Sequence, residues 1–409
     1  MRDEAQRPEP GDALLDALAD WLMARALDSA ELEEIFDGCC ERLRAAGVPL
    51  RRVFMSFRTL HPLFRSMSIT WQRGADVSSM GHLYESETDP AWRRSPFFHM
   101  LERSVPLVRR RLAGPEKLTD FLLLEELAAE GDTDYLAHAI NFRSQSKEDV
   151  PYGIIVSWTT DRENGFSEWD IRAILRIQKR LAVACKVAIE EQITSNILAT
   201  YLGRDAGDQV LGGRIRKGDG ETVHAVIWFS DLRGSTEMAD VMPSADYLAL
   251  LNAYFECSAG AVIDQGGEVL DFIGDGVLAI FRIAKGVATP RRACKRALAA
   301  AADARGRLAR LNETRAQAGA PSIEFGIGLH IGDVVFGNIG VGDRLSFSVI
   351  GPAANEAERL EALTKTLEEP VLVSGEFAAL VRKRLRSLGR HRLRGVGEPL
   401  EVLAPPAPG

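Results

Sequence analysis

The chain has 409 residues, 46% of them apolar and 26% charged, which is the balance of a soluble globular protein with room for two or three domains. Its 50 Lys and Arg against 58 Asp and Glu give a net charge of −8, so the basic surface of a non-specific nucleic-acid binder is missing and no nucleic-acid partner is expected. There is no apolar run of about 18–20 residues, so no membrane span is expected. The start of the chain is polar to Asp12, without a secretory leader, and the protein is read as cytoplasmic. Cys39, Cys40, Cys185, Cys257 and Cys294 are odd in number and lack metal-ligand spacing, so they read as buried thiols.

In chain order, residues 12–46 read as helix, with Leu14, Leu18, Leu22 and Ala26, then Leu32, Ile35 and Phe36, at helical spacing. Arg51–Leu60 and Met67–Trp71 read as strands. Residues 75–116 carry no clear period. Tyr135–Phe142 and Tyr152–Thr160 read as strands again. This layout suits a small α/β regulatory domain over residues 1–166. His61, His82, His99 and His138 are isolated within it and read as surface or core residues rather than ligands.

Residues 167–221 read as a signalling helix and linker. Ser167 is placed as an N-cap, with Glu168 and Asp170 in the first turn. Ile171, Ile174, Gln178, Leu181, Cys185, Ile189, Ile193 and Ile197 then recur every three or four residues, and Gly203 stands as a C-cap. Such a stripe predicts a parallel helix pair joining two copies of the chain; the alternative is one helix lying along its own domain. Residues 203–221, rich in Gly, Arg and Asp, read as linker.

Residues 222–403 alternate strand and helix: strand 223–230, helix 244–265, strands 268–273 and 276–282, helix 287–314, strands 323–331, 333–339 and 345–350, helix 353–365, strand 370–373, helix 375–386 and strand 400–403. The core of this order is the ferredoxin-like split βαβ arrangement, so the fold class is α/β (α+β). Residues 404–409, rich in proline, read as a disordered tail.

Two aspartates in this domain carry chemistry. Asp231 ends an apolar strand just before a turn that opens a helix, where a carboxylate can hold a metal and backbone N–H groups can hold phosphate. Asp275 lies in a Gly-Asp-Gly turn between two apolar strands, a hairpin signal. Taken singly, Asp231 also reads as a helix N-cap and Asp275 as a turn residue. The sequence has no Walker loop, no complete dinucleotide fingerprint, no GG[DE]EF and no Gly-x-Ser-x-Gly elbow.

Four segments, in order, resemble the class III nucleotidyl cyclases, the adenylate and guanylate cyclase family. They are Phe229–Thr236 (FSDLRGST), Gly266–Gly276 (GGEVLDFIGDG), Ser348–Asn355 (SVIGPAAN) with Glu358–Glu361 (ERLE), and Leu393–Gly395 (LRG). The resemblance implies that Asp231 and Asp275, with the backbone carbonyl of Leu232, hold two Mg²⁺ or Mn²⁺ ions. It implies that Asn355 orients the ribose, that Arg359 stabilises charge on the reacting phosphorus, and that Arg394, with Arg344 a weaker candidate, contacts the triphosphate. In that family two catalytic domains share each active site, so the resemblance implies a homodimer. The base-reading positions match Asp271 and Ser348. A carboxylate only accepts hydrogen bonds and suits the N1–H and amine of guanine, which favours GTP over ATP, although Asp is one methylene shorter than the Glu usual in guanylate cyclases. Strict use of ATP is the alternative. From another class, the alternative is a catalytically silent cyclase-like signalling module that binds nucleotide. The N-terminal domain resembles GAF or PAS sensors in layout and in its Phe166–Asp170 helix start.

Overall fold

The computed structural model describes residues 10–84, 90–142, 153–284, 286, 288–381, 385–395 and 397–406. They form two compact units that divide between Ile197 and Leu198.

The N-terminal unit comprises α1 (Pro10–Leu27), α2 (Leu32–Ala45), β1 (Arg52–Arg58), β2 (Phe64–Gln72), β3 (Ser78–Leu83), α3 (Pro90–Arg93), α4 (Pro96–Glu102), β4 (Leu107–Arg111), α5 (Leu122–Ala129), β5 (Asp134–Asn141), β6 (Gly153–Thr160) and most of α6 (Glu168–Leu202). The strands make one antiparallel sheet in the order β3-β2-β1-β6-β5-β4. On β1, Val53, Met55 and Phe57 point to one face and are buried against leucines of α1 and α2 and the Ile174, Leu181 and Ile189 stripe of α6. The other face carries Tyr135 and Ala137 under Phe97, Met100, Leu124 and Leu127. One element differs from the sequence reading. The helix expected over 12–46 breaks at Ser29, whose φ is 51°, and becomes two. Tyr152 lies outside the described residues.

Helix α6 starts as expected. The Ser167 hydroxyl accepts the Asp170 N–H at 3.2 Å, and the Asp170 carboxylate accepts the Ser167 N–H at 2.6 Å, a reciprocal capping box. Nearby, the fully buried Asp134 is balanced by Arg109 at 2.8 Å and Arg111 at 3.0 Å and accepts the Phe166 N–H at 3.0 Å. The α6 stripe down to Ile193 is used inside its own unit, so only its last residue, Ile197 at partial exposure, is left over for a helix partner.

The C-terminal unit comprises α7 (Arg204–Leu211), β7 (Gly220–Leu232), α8 (Ser235–Val241), α9 (Ser244–Asp264), β8 (Glu268–Ile273), β9 (Gly276–Arg282), α10 (Pro290–Gln317), β10 (Phe325–Val341), β11 (Arg344–Ile350), α11 (Pro352–Leu367), β12 (Val371–Ser374), α12 (Gly375–Ala378), β13 (Arg386–His391) and β14 (Leu400–Ala404). The split βαβ core is present: β7, α9, β8, β9, α10 and β10 place their strands in the order β10-β7-β9-β8, every neighbour antiparallel. Helices α9 and α10 cover one face through Tyr254, Ala261, Cys294, Ala297 and Ala301. On the other face Ala353 and Ala357 of α11 join Ala225, Ile227 and Phe336.

Four segments differ from the sequence reading. The two strands read over 323–331 and 333–339 are one strand, β10 (Phe325–Val341), because Gly332 keeps its place in the ladder opposite Ala225. The helix read over 375–386 is the one turn α12, followed by edge strand β13. Ala404 ends β14, while residues 407–409 of the proline-rich tail lie outside the described residues. The first part of the expected linker is the helix α7, while residues 211–218 are exposed. Within α7, Ala206 is 1% exposed in the core, and Asp205 pairs with Arg282 at 3.0 Å. Arg282 also holds Glu221 at 3.0 Å and Glu268 at 3.2 Å and lies over the Phe336 ring at 4.5 Å. Burial, then the charge of Asp205, pushes Glu268 up to about 7.

Helix α11 approaches β10 through two glycines. A Cβ on Gly328 would lie 2.2 Å from the Ala357 carbonyl oxygen, and one on Gly326 would lie 2.2 Å from Thr364 Oγ1. The Gly328 contact is with backbone, which has nowhere to go. Gly328→Ala is therefore expected to destabilise the protein by about 2–3 kcal/mol in urea unfolding, with Gly397→Ala, whose Cβ would meet nothing, within about 0.5 kcal/mol of wild type. A second prediction concerns His138, which is buried with both ring nitrogens unpartnered and is stacked on Trp158 at 6.0 Å. Burial lowers it to about 4 from an ordinary 6.5. Below pH 6.5 the unfolded chain takes up a proton that the folded one refuses, so stability is full above pH 6.5 and falls toward pH 4, by at most about 3 kcal/mol. Urea midpoints followed by tryptophan fluorescence should lose this slope in His138→Leu.

Candidate functional site

Asp231 is held at the end of the central strand β7, opposite Gly276 of β9 and Gly326 of β10. The residue before it anchors the strand end. Ser230 Oγ accepts the Trp228 Nε1–H at 3.1 Å and lies 3.1 Å from the Tyr254 hydroxyl and 2.6 Å from that of Ser258, all buried. Leu232, 2% exposed, completes the strand, the Arg233 N–H reaches the Glu324 carbonyl at 2.8 Å, and Gly234, at φ 69°, turns the chain into α8. The N-cap of α8 is therefore Gly234 and not Asp231.

Asp275 sits in the two-residue turn between β8 and β9. Gly274 takes φ 66°, the conformation a tight hairpin asks of its first central residue. A Cβ on Gly276 would lie 3.4 Å from Asp231 Oδ1, so the glycine after Asp275 leaves room for the two carboxylates to converge. Burial first, then the charge of Asp275, raises Asp231 to about 6. Asp275 Oδ2 is buried without a hydrogen-bond partner. Two hard oxygen donors, one of them an orphaned acceptor, make a donor set that fits Mg²⁺ or Mn²⁺. Among the described residues no group of three His, Cys, Asp or Glu side chains is arranged to hold a metal.

Helix α11 carries two further residues of the sequence reading. Its N-cap is Gly351, so Asn355 is free of a capping role and exposed. Arg359, four residues on and so on the same face, is partly exposed and lies 3.5 Å from Glu358. Glu356 is engaged elsewhere, at 2.8 Å from His330 of β10, which burial lowers to about 4 and so leaves neutral at physiological pH. Asp271 is exposed on β8 and Ser348 partly exposed on β11, and these two strands approach one another. Arg344 is exposed at the start of β11, and Arg394 is exposed between β13 and β14. The structure thus brings Asp231 and Asp275 together within one chain and distributes Asn355, Arg359, Asp271, Ser348, Arg344 and Arg394 over other elements.

The sequence reading missed the charged surroundings of the aspartates. Glu361 of α11 is raised to about 7 by burial and then by Asp231, with Arg233 opposing; Lys365 acts on Asp231 in the opposite sense. The Tyr247 phenol is raised by burial and by both aspartates. The available signal was the Gly326-Ile-Gly328 alternation on an apolar strand, which marks where a helix backbone lies directly on the sheet.

Residues 220–401 match the family described as adenylate and guanylate cyclase catalytic domain. An uncharacterized protein of Mycobacterium tuberculosis is 34% identical over 220 residues, which are 53% of this chain and 38% of that protein. The adenylate cyclase of Anabaena cylindrica is 34% identical over 164 residues, 39% of this chain and 31% of its own length. The chain therefore spans well under half the length of these relatives. Among solved structures, the guanylyl cyclase Cya2 aligns at 27% identity and a TM-score of 0.40 over 45% of this chain and 92% of its own. The adenylyl cyclase CyaB from P. aeruginosa aligns at 24% identity and 0.42 over 46% and 97%. Residues 220–401 of this chain belong to the adenylate and guanylate cyclase catalytic-domain family, class III.

Proposed function

We propose that the protein is a purine nucleotide cyclase that converts a nucleoside triphosphate, GTP in preference to ATP, into the 3′,5′-cyclic monophosphate and pyrophosphate, as a cytoplasmic homodimer in signal transduction. The observation that carries this reading is the convergence of Asp231 and Asp275 with one carboxylate oxygen left without a partner. Asp231, Asp275 and the Leu232 carbonyl would hold two Mg²⁺ or Mn²⁺ ions, whose charge acidifies the ribose 3′-hydroxyl and neutralises pyrophosphate. In the reaction the 3′-oxygen gives up its proton to solvent and bonds to the α-phosphorus, while the bond from that phosphorus to the bridging oxygen breaks and pyrophosphate leaves.

The remaining residues bind and orient. Asn355 hydrogen-bonds the ribose. Arg359 neutralises charge that builds on the phosphorus, where a fixed cation is worth most. Arg394, with Arg344, holds the triphosphate, and Asp271 with Ser348 accepts from and donates to the base edge. One protomer supplies the aspartates and its partner supplies Asn355, Arg359, Asp271 and Ser348, so two equivalent sites form by symmetry. Strict adenylate cyclase activity stands as the second reading, favoured by the short reach of Asp271. A silent nucleotide-binding module is the reading from another class.

The test is product formation from ATP and GTP separately, with Mg²⁺ and with Mn²⁺. Cyclic GMP in excess of cyclic AMP is expected; cyclic AMP alone establishes the second reading, and no product with either nucleotide establishes the silent module. Asp275→Ala and Arg359→Ala should each lose about 10²-fold or more in kcat. Mixed, these two inactive proteins should recover about a quarter of wild-type activity, since half the dimers are mixed and each holds one intact site. Failure to recover would argue against sites shared between protomers. Asp271→Lys should shift the kcat/KM ratio toward ATP by about tenfold or more.

A further inference from the structure

We propose that Glu361 is a positioning residue of the carboxylate site, standing behind Asp231 as a third negative charge that sets how tightly Asp231 and Asp275 hold a divalent cation. The inference rests on the reading of that pair as a cation site.

Its placement follows from the glycines of β10. Gly326 is the residue opposite Asp231, and a Cβ there would lie 2.4 Å from Glu361 Oε1. The missing side chain is what lets the Glu361 carboxylate lie against the strand beside the one that carries Asp231. Thr364, fully buried, donates to the Glu361 carbonyl at 2.5 Å and fixes this turn of α11. Glu361 follows Arg359 by two residues, about 200° around the helix, so the helix presents Arg359 outward and Glu361 to the sheet.

The charges sum to a role. The groups acting on one another here are Asp231, Asp275 and Glu361 against Arg233 and Lys365. With Glu361 ionised the set is net negative before any cation arrives. Without it, two carboxylates would face two cations and the set would be neutral. Because Glu361 completes no ligand group with the aspartates, it acts through the field at Asp231 rather than by contact with the ion, as charge count tunes cation affinity in oxygen-ligand sites.

The experiment is Mn²⁺ binding to the full chain without nucleotide, read from the electron paramagnetic resonance signal of free Mn²⁺, for wild type, Glu361→Gln and Lys365→Met. Glu361→Gln is expected to raise the Mn²⁺ dissociation constant about tenfold and Lys365→Met to lower it severalfold. In turnover, Glu361→Gln should raise the Mn²⁺ activation constant in parallel, while kcat at saturating Mn²⁺ falls by less than threefold. An unchanged dissociation constant in Glu361→Gln, or a kcat loss at every Mn²⁺ concentration with affinity intact, overturns the proposal in favour of a merely structural role. Should Glu361→Gln not fold, Lys365→Met decides, and unchanged affinity there overturns it equally. Wild type that binds Mn²⁺ with these variant effects and yields no cyclic nucleotide would sink the cyclase reading and leave this one. Active wild type whose Mn²⁺ affinity ignores both positions would do the reverse.

Discussion

Two carboxylates of like charge, held together and half out of water, one near the end of β7 and one in the β8–β9 turn, are the constraint around which the C-terminal unit is arranged. Such a pair repels itself, and burial adds to the cost, which is why Asp231 holds its proton to a higher pH than a free aspartate. The surrounding architecture keeps the pair from relaxing apart. The buried Trp228, Ser230, Tyr254 and Ser258 hydrogen bonds pin the strand that carries Asp231. The tight turn at Gly274 delivers Asp275, and Gly276 sits opposite Asp231 in the ladder.

The central strands do two jobs at once. The face of β7 and β10 that bears Trp228 and Leu329 is apolar and closed by α9 and α10. The face that bears Asp231 is stripped to glycine at 326 and 328, so α11 settles onto the strand backbone. One helix then looks two ways. Its outer side shows Asn355 and Arg359, which have no substrate to meet within their own chain if sites are shared, and its inner side sets Glu361 behind the aspartates.

The N-terminal unit spends most of the long helix on its own core: Ile174, Leu181 and Ile189 are buried with the sheet strands and α2. The segment that follows is structured too. Helix α7 enters the core of the C-terminal unit at Ala206 and is tied by Asp205 to an arginine shared with Glu221 and Glu268. Leu202, Ala206 and Val210 therefore pack with the C-terminal unit, while residues 211–218 are exposed.

What the sequence by itself determined was local. Alternation marked β1, apolar runs marked β7 and β9, Ser167 and Asp170 marked the start of α6, the Gly-Asp-Gly turn marked the hairpin, and four short segments in order marked the family of residues 220–401. Each of these signals resides in residues near one another in the chain. Tertiary structure alone decided which face of the α6 stripe was already occupied and that 204–211 is a helix, since three apolar residues in eight, Ala206, Val210 and Leu211, fix no period until a core receives Ala206 and Val210. It alone decided that the two strands read over 323–331 and 333–339 run as one, because Gly332 breaks a period but not a ladder. It also decided that Glu361 and Lys365 belong to the same electrostatic site as Asp231, 130 residues earlier. Coulomb interactions depend on distance in space, and that distance was set by two glycines on a strand between them.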